Sequence, residues 1–305
     1  MEFGLCCLFT NEPIRFRSYT NAGMKKLVRE KGESVVLEKI LAVWNNNIDS
    51  VQLAIRYCAD HGIAGFRISS DIFPQTTRMI EQGFVNQSDL DDTLNRLATV
   101  DSCGIVLSLH PGQHVNLGSL DVTVVENSLN DLREHFSVAH AIGASEINIH
   151  VGGSYGDKVS AARRFSEVVS SIPQKDRALL TLENDELNYS IDDVIEIASQ
   201  LNCRVVYDIH HQRCHELKYA RKSTEYENFI RAKETWPKDQ IQRLHLSSPR
   251  DGFISITKAR PHSDFIDSRD IPDWLWEESV QVDIEAKKKE LAIAELQKIQ
   301  GLRLV

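Results

Sequence analysis

The chain has 305 residues, of which 42% are hydrophobic and 26% charged, and a formal net charge of −9. That composition excludes a disordered chain, and the acidic surplus excludes a protein that coats nucleic acid through its whole surface. No run of roughly 18 uncharged apolar residues predicts a membrane span. The opening Met1-Glu2-Phe3-Gly4-Leu5 lacks the basic start and long apolar core of a signal peptide, so a cytoplasmic protein is expected.

At ~150 residues per domain the length allows two units, but an α/β barrel fills roughly 250 residues as one. In chain order, strands are predicted at residues 2–8, 65–69, 105–110, 146–150, 178–183, 204–208, 242–247 and 281–285. Several are near-continuous apolar runs, such as Ile105-Val106-Leu107-Ser108-Leu109, as parallel strands covered on both faces require. Between them, apolar residues at three- and four-residue spacing predict helices at 48–61, 91–103, 125–142 and 190–201. The last opens on Ser190-Ile191-Asp192-Asp193, an N-cap with an acidic first turn. Eight such alternations without a Pro/Gly-rich linker favour one (β/α)8 TIM-barrel domain over residues 1–305. The competing architecture, a doubly wound open sheet, lacks a G-x-G-x-x-G after the first strand. Cys6, Cys7, Cys58, Cys103, Cys203 and Cys214 form no C-x-x-C pair, which argues against a zinc ribbon or disulfide framework.

A barrel of this kind gathers the C-terminal ends of its strands at one mouth, where chemistry sits. The predicted strand ends carry Asp71, His110, His150, Glu183, Asp208, His245 and Glu285. One polar residue entering a loop is unremarked; this many in register form a constellation. Imidazole together with carboxylate suits zinc, manganese or iron, whereas an all-oxygen set would suit magnesium or calcium. The donors are too many for one tetrahedral ion. Glu183, in mid-set, can bridge two cations, the geometry that activates water and clamps a phosphate. Among the other histidines, His61, His135 and His140 are expected on helix surfaces or in packing. His210 and His211 are adjacent and point apart, so one of them is expected to be a ligand, and Asp208 with His211 makes a D-x-x-H that reaches one cavity. His215 is expected to be exposed.

At these residues the sequence resembles the UV damage endonucleases, relatives of the endonuclease IV type of abasic-site nucleases. The resemblance is carried by residues 66–74 (FRISSDIFP), 108–116 (SLHPGQHVN), 150–158 (HVGGSYGDK), 182–186 (LENDE), 208–211 (DIHH) and 283–287 (DIEAK). It implies a TIM barrel with up to three divalent ions, manganese above all and zinc or iron as alternatives, that nicks damaged double-stranded DNA 5′ to a lesion and leaves a 3′-hydroxyl and a 5′-phosphate. Neither an organic cofactor nor a membrane is implied. Carried over residue by residue, His110 and His150 would hold one metal and Glu183 would bridge it to a second. Asp208, His245 and Glu285 would complete that second site, and His211 and His262 would bind the third, with Asp264 as an extra ligand or a solvated loop carboxylate. Glu183, Lys158 and Asp71 are the catalytic candidates, Lys158 as a phosphate contact.

Gln113 and His114 are the expected lesion-reading pair, joined by Arg243 and Asn184 as DNA contacts. The family usually has Gln-Tyr where Gln113 and His114 stand, and an imidazole offers less stacking area than a phenol ring. The family favours Lys where Arg243 stands, and Leu5 occupies a position where it often has Tyr. Arg67, Arg78, Lys158, Arg243, Arg250, Lys258 and Arg260 would extend a positive patch around the mouth, or stand as solvated surface. Two other enzyme readings share the barrel: a sugar isomerase or epimerase, needing only Glu183, Asp208, His245 and Glu285, and a general abasic-site nuclease. A non-enzymatic scaffold has no reason to gather these ligands at one rim.

Overall fold

The computed structural model describes residues 1–303. Its strands are β1 (Glu2–Cys6), β2 (Gly65–Ile68), β3 (Val106–Leu109), β4 (Glu146–His150), β5 (Leu180–Glu183), β6 (Arg204–Asp208), β7 (Arg243–Leu246) and β8 (Gln281–Ile284). Each pairs in parallel with the next, and β8 closes on β1 with Gly4 opposite Asp283. The result is the single-domain (β/α)8 barrel that the alternation predicts. All six cysteines are free. Among the described residues no helix is long and apolar enough to cross a membrane.

The helices follow their apolar stripes and stop signals. Ile191–Leu201 starts where Ser190 accepts from the Asp193 N–H and Asp193 returns a bond to the Ser190 N–H; its buried stripe is Ile191, Val194, Ile197, Ala198 and Leu201. The helix predicted from residue 48 begins earlier, spanning Glu33–Asp60, because Val36, Ile40, Val43 and Trp44 extend the stripe of Ile48, Val51 and Ile55. The one predicted at 91–103 lies at Gln87–Leu97, set by a reciprocal cap between Asn86 and Asp89. One apolar core joins the strands to these stripes, through Phe66, Leu107, Leu182 and Val205 from the sheet and Ile55, Phe165 and Val194 from the helices. Each such side chain contributes roughly 1.5–3 kcal/mol on burial.

Inside the barrel the alternate residues are polar. Arg67, Ser108, Asn148, Thr181, Gln281 and Asp283 are all buried there. Space is tight: a Cβ on Gly4 would stand 2.0 Å from Asp283 Oδ1, and one on Gly65 2.0 Å from Gln281 Nε2. A side chain at either position would have to displace Asp283 or Gln281. At the floor, the N-terminal ends of the strands, Arg243 Nη1 donates to Glu146 Oε1 at 3.0 Å and Nη2 to Ser145 Oγ at 2.9 Å. This corrects the expectation that Arg243 contacts DNA. It is the first residue of β7, buried at the end opposite the mouth, and its guanidinium is spent on Glu146.

Candidate metal centre

His150, Glu183 and Asp208 are the last residues of β4, β5 and β6; His110 and Glu285 stand one past β3 and β8, and His245 one short of the end of β7. Alternation along each strand turns all of them inward, and they converge on the fully buried Glu183. On one side His110 Nε2 is 3.1 Å and His150 Nε2 3.8 Å from Glu183 Oε2; on the other, His211 Nδ1 and His245 Nδ1 are each 3.1 Å from Oε1. Asp208 Oδ2 lies 3.6 Å from His211 Nδ1 and 3.9 Å from His245 Nδ1, and Glu285 Oε1 is 3.5 Å from His245 Nδ1.

Among the described residues, three donor groups are compact enough for a cation, with their atoms within 4.8 Å of one another: His110, His150 and Glu183; His110, His245 and Glu285; Glu183, Asp208 and His211. A ring nitrogen offers one lone pair, so His110 serves a single ion, whereas the two oxygens of Glu183 can serve two. The geometry thus provides two adjoining cation places bridged by Glu183. His110 and His150 would flank one, and Asp208, His245 and Glu285 the other, with His211 beside Glu183 and Asp208.

The residues fit metal on their own chemistry. The buried atoms His110 Nδ1, His150 Nδ1, Glu183 Oε1, Asp208 Oδ2 and His245 Nδ1 have no hydrogen-bond partner, and such orphans cost about 1–3 kcal/mol each. Burial works to raise the Glu183 carboxyl, yet His245 and His150 hold it well below the usual carboxylate range. Burial raises Asp208, with Glu183 and Glu285 adding to it and His211 opposing. Burial pushes His110 down to about 4, while His245, despite its burial, is lifted to about 9 by Glu183 and Glu285. A cation that displaces the His245 proton would supply the positive charge these carboxylates hold there.

Below the donors lies a layer that orients them. Asn148 Nδ2 donates to Glu183 Oε2 and is itself fixed by the Thr181 hydroxyl, 3.0 Å from its Oδ1. Arg67 Nη2 donates to Glu285 Oε1 at 2.6 Å, and its Nε stands 3.5 Å from Asp283 Oδ2. Asn148 and Asp283 precede His150 and Glu285 by two residues, a spacing that puts them on the same inward face. That parity was the available signal, and reading strand ends alone misses it. Arg67 belongs to this layer and also lines the mouth.

The mouth opens into a cavity of about 540 Å³ bordered by His110, Gln113, His150, Glu186, Arg260 and His262 among others. Gln113 and His114 are exposed on the loop after β3. His114 lies back on the neighbouring helix, Val122–Ile142, with Nε2 2.6 Å from Asp131 Oδ2, while Asp131 Oδ1 holds the buried His135 at 2.8 Å. His262 reaches the mouth but stands outside the three donor groups; its Nδ1 is 2.9 Å from the Glu285 carbonyl oxygen. His210 turns away from the donors toward Cys214 and Phe253.

Several expected positions fall elsewhere. Asp71 is exposed on the loop after β2, outside the donor groups and the mouth lining. Lys158 opens the helix Lys158–Ser171 and pairs with Asp193 at 2.7 Å, in a groove between two helices on the barrel's outside. Asn184 is fully buried, and both ends of its amide are spent on the backbone of Asp208, at 2.9 and 3.0 Å; it ties β5 to β6 and faces no DNA. Asp264 is an exposed residue beside a separate groove with Arg250 and Arg269. His215 is buried against Tyr219, not exposed.

Fold and donors together define a TIM barrel whose mouth gathers a buried cluster of His, Glu and Asp that could hold metal. The chain belongs to the family described as UV-endonuclease UvdE, whose model matches residues 1–305. It is similar to a UV DNA damage endonuclease of Nostoc sp., 28% identical over 97% of this chain and 89% of that one. A UV DNA damage endonuclease of Bacillus cereus is 29% identical over 100% of this chain and 97% of its own length. Of solved structures, SacUVDE matches with a TM-score of 0.80 at 23% identity, covering 98% of this chain and 99% of that one. Endonuclease IV from Thermus thermophilus matches at 0.58 and 13% identity, covering 100% and 99%. Both structures speak to the fold.

Proposed function

We propose that this chain is a divalent-metal-dependent DNA repair endonuclease of the cytoplasm. Its substrate is damaged double-stranded DNA, nicked 5′ to UV photoproducts and other lesions to leave a 3′-hydroxyl and a 5′-phosphate. The observation that carries this reading is the placement of Glu183, buried between two sets of donors whose inner atoms lack partners. The family membership supports it. Bound cations, up to three and manganese before zinc or iron, would supply a hydroxide at neutral pH and neutralise charge on the phosphate. Glu183 holds the two inner places together, Asn148 fixes its rotamer, and Arg67 keeps Glu285 aimed at the centre. Metal charge at the mouth lets an acidic protein hold DNA locally. Gln113, exposed beside the mouth, reads the damaged bases, with His114 next to it.

One observation favours the abasic-site variant of this reading: His114 rests on Asp131 and presents no free ring over the mouth. The test is incubation of the manganese-loaded protein with end-labelled duplexes that are UV-irradiated, abasic or intact. A nick confined to irradiated strands and lost in Glu183→Gln is expected. Cutting of the abasic duplex alone would select the variant. Equal cutting of all three, or sugar isomerisation without cutting, would overturn the proposal.

A further inference from the structure

The third cation is the least furnished of the three, since the family resemblance gives it only His211 and His262. Both imidazoles are held in the same way. His211 Nδ1 lies 3.0 Å from the Asn184 carbonyl oxygen and His262 Nδ1 2.9 Å from that of Glu285. A ring whose Nδ1–H donates to a backbone carbonyl presents an unprotonated Nε2, the usual preparation of a metal-ligating histidine. The two ring centroids are 6.4 Å apart, at the widest span that two ring nitrogens sharing one cation allow with bonds of about 2.1 Å.

A carboxylate stands beside His211 and lines the same mouth as His262, in a looser arrangement than the three compact donor groups. Glu186, 8% exposed, follows β5 by three residues and places Oε2 4.0 Å from His211 Nε2. Its other oxygen is occupied: Arg260 Nε and Nη2 lie 2.8 and 2.7 Å from Oε1. The guanidinium therefore holds Glu186 in place by one oxygen and leaves the other free, facing the imidazole.

The geometry points to Glu186 as the carboxylate ligand of a third cation place with His211 and His262, and to Arg260 as the residue that positions it. This deepens the metal-dependent nuclease reading and rests on it. Asp264, the other acidic residue near His262 in sequence, is exposed beside a different groove and takes no part. A site with one carboxylate and two imidazoles accepts manganese or zinc. It is more open than the Glu183 centre, because Arg260 is 42% exposed at the rim, so this ion should be the last to load and the first to leave.

The experiment counts manganese per chain by equilibrium dialysis and elemental analysis, with calorimetric titration for each step. Wild type should bind three ions, the third most weakly. Glu186→Gln should bind two with unchanged affinities, the inner pair serving as the control for folding. Arg260→Ala should keep three but weaken the third by about 10–100-fold, the usual effect of removing a ligand's supporting hydrogen bond. Two ions in wild type, or an unchanged third step in Glu186→Gln, would overturn the assignment. The nuclease reading fails separately: a wild type that binds three ions, loses one in Glu186→Gln and never nicks irradiated DNA would sink the reading while the ligand assignment stood.

Discussion

The floor and the mouth of this barrel both bury ionisable side chains and differ in whether those side chains are matched. At the floor Arg243 and Glu146 neutralise each other, both almost fully buried, with Ser145 taking a further guanidinium N–H and a single atom, Glu146 Oε2, left without a partner. At the mouth, Glu183, Asp208 and Glu285 are gathered with four histidines, and five buried polar atoms of this set find no protein partner. A buried pair whose charges cancel contributes structure. A buried set that is incomplete is a site for something else. The difference teaches that charge inside a barrel marks function only where the protein leaves it unbalanced.

The largest expected effect lies in the mouth. Glu183→Gln keeps size and hydrogen bonding but removes the bridging charge, so nicking should fall on the order of 10³-fold, with manganese affinity falling alongside. Rates on an end-labelled irradiated duplex measure this. A variant within tenfold of wild type would mean that Glu183 is structural, and the contrast between the two ends would collapse.

The floor should respond in stability instead. Arg243→Ala leaves Glu146 buried without a counter-charge, which should cost roughly 3–5 kcal/mol in urea unfolding of the metal-free protein. Pairing Arg243→Met with Glu146→Leu should recover most or all of it, because the second substitution removes the stranded charge. Nicking per folded molecule should match wild type in the double variant. A double variant as unstable as the single one would show that Arg243 acts through packing and not through its charge.

Between the two ends lies the layer of Asn148 and Thr181. Asn148→Ala frees the Glu183 carboxylate to rotate and should weaken manganese binding by about 10–100-fold, read by calorimetric titration, with a small effect on unfolding. An unchanged affinity would remove this layer from the site and leave the donors alone responsible for its geometry.

The sequence carried most of the mouth and little of what supports it, for a reason of strand geometry. His110, His150, Glu183, Asp208, His245 and Glu285 announced themselves because each stands within one residue of a strand's C-terminal end, and a parallel barrel brings those ends to one rim. Arg243 was misread because it stands two residues before His245, which is the same face but about 6.6 Å further down. Asn184 was misread by the opposite parity, since one residue past Glu183 turns the side chain off the inward face. Lys158 and Asp71 lie in or beyond loops, where no periodicity fixes direction. Glu186 sits three past its strand, and only the fold brings it beside His211 and Arg260.

The smallest expected effect concerns Asp131, outside both ends, which joins the exposed His114 to the buried His135. Burial works against the charge on both partners, but each raises or lowers the other: Asp131 holds the His135 imidazole above 6.5, and His135 with His114 holds the Asp131 carboxyl below 3.8. The His135 contribution to stability is complete below 6.5 and is lost as pH rises through its higher folded value. The Asp131 contribution is complete above 3.8 and is lost as pH falls through its lower folded value. Both are present together between about pH 4 and 6.5. Asp131→Asn should therefore cost about 1–2 kcal/mol near pH 5.5, with the difference from wild type shrinking toward either side. Unfolding curves across pH 3–9 measure it. A difference that stays flat with pH would mean that the pair is neutral, and that His114 rests on the helix by a plain hydrogen bond, free to leave it for DNA at any pH.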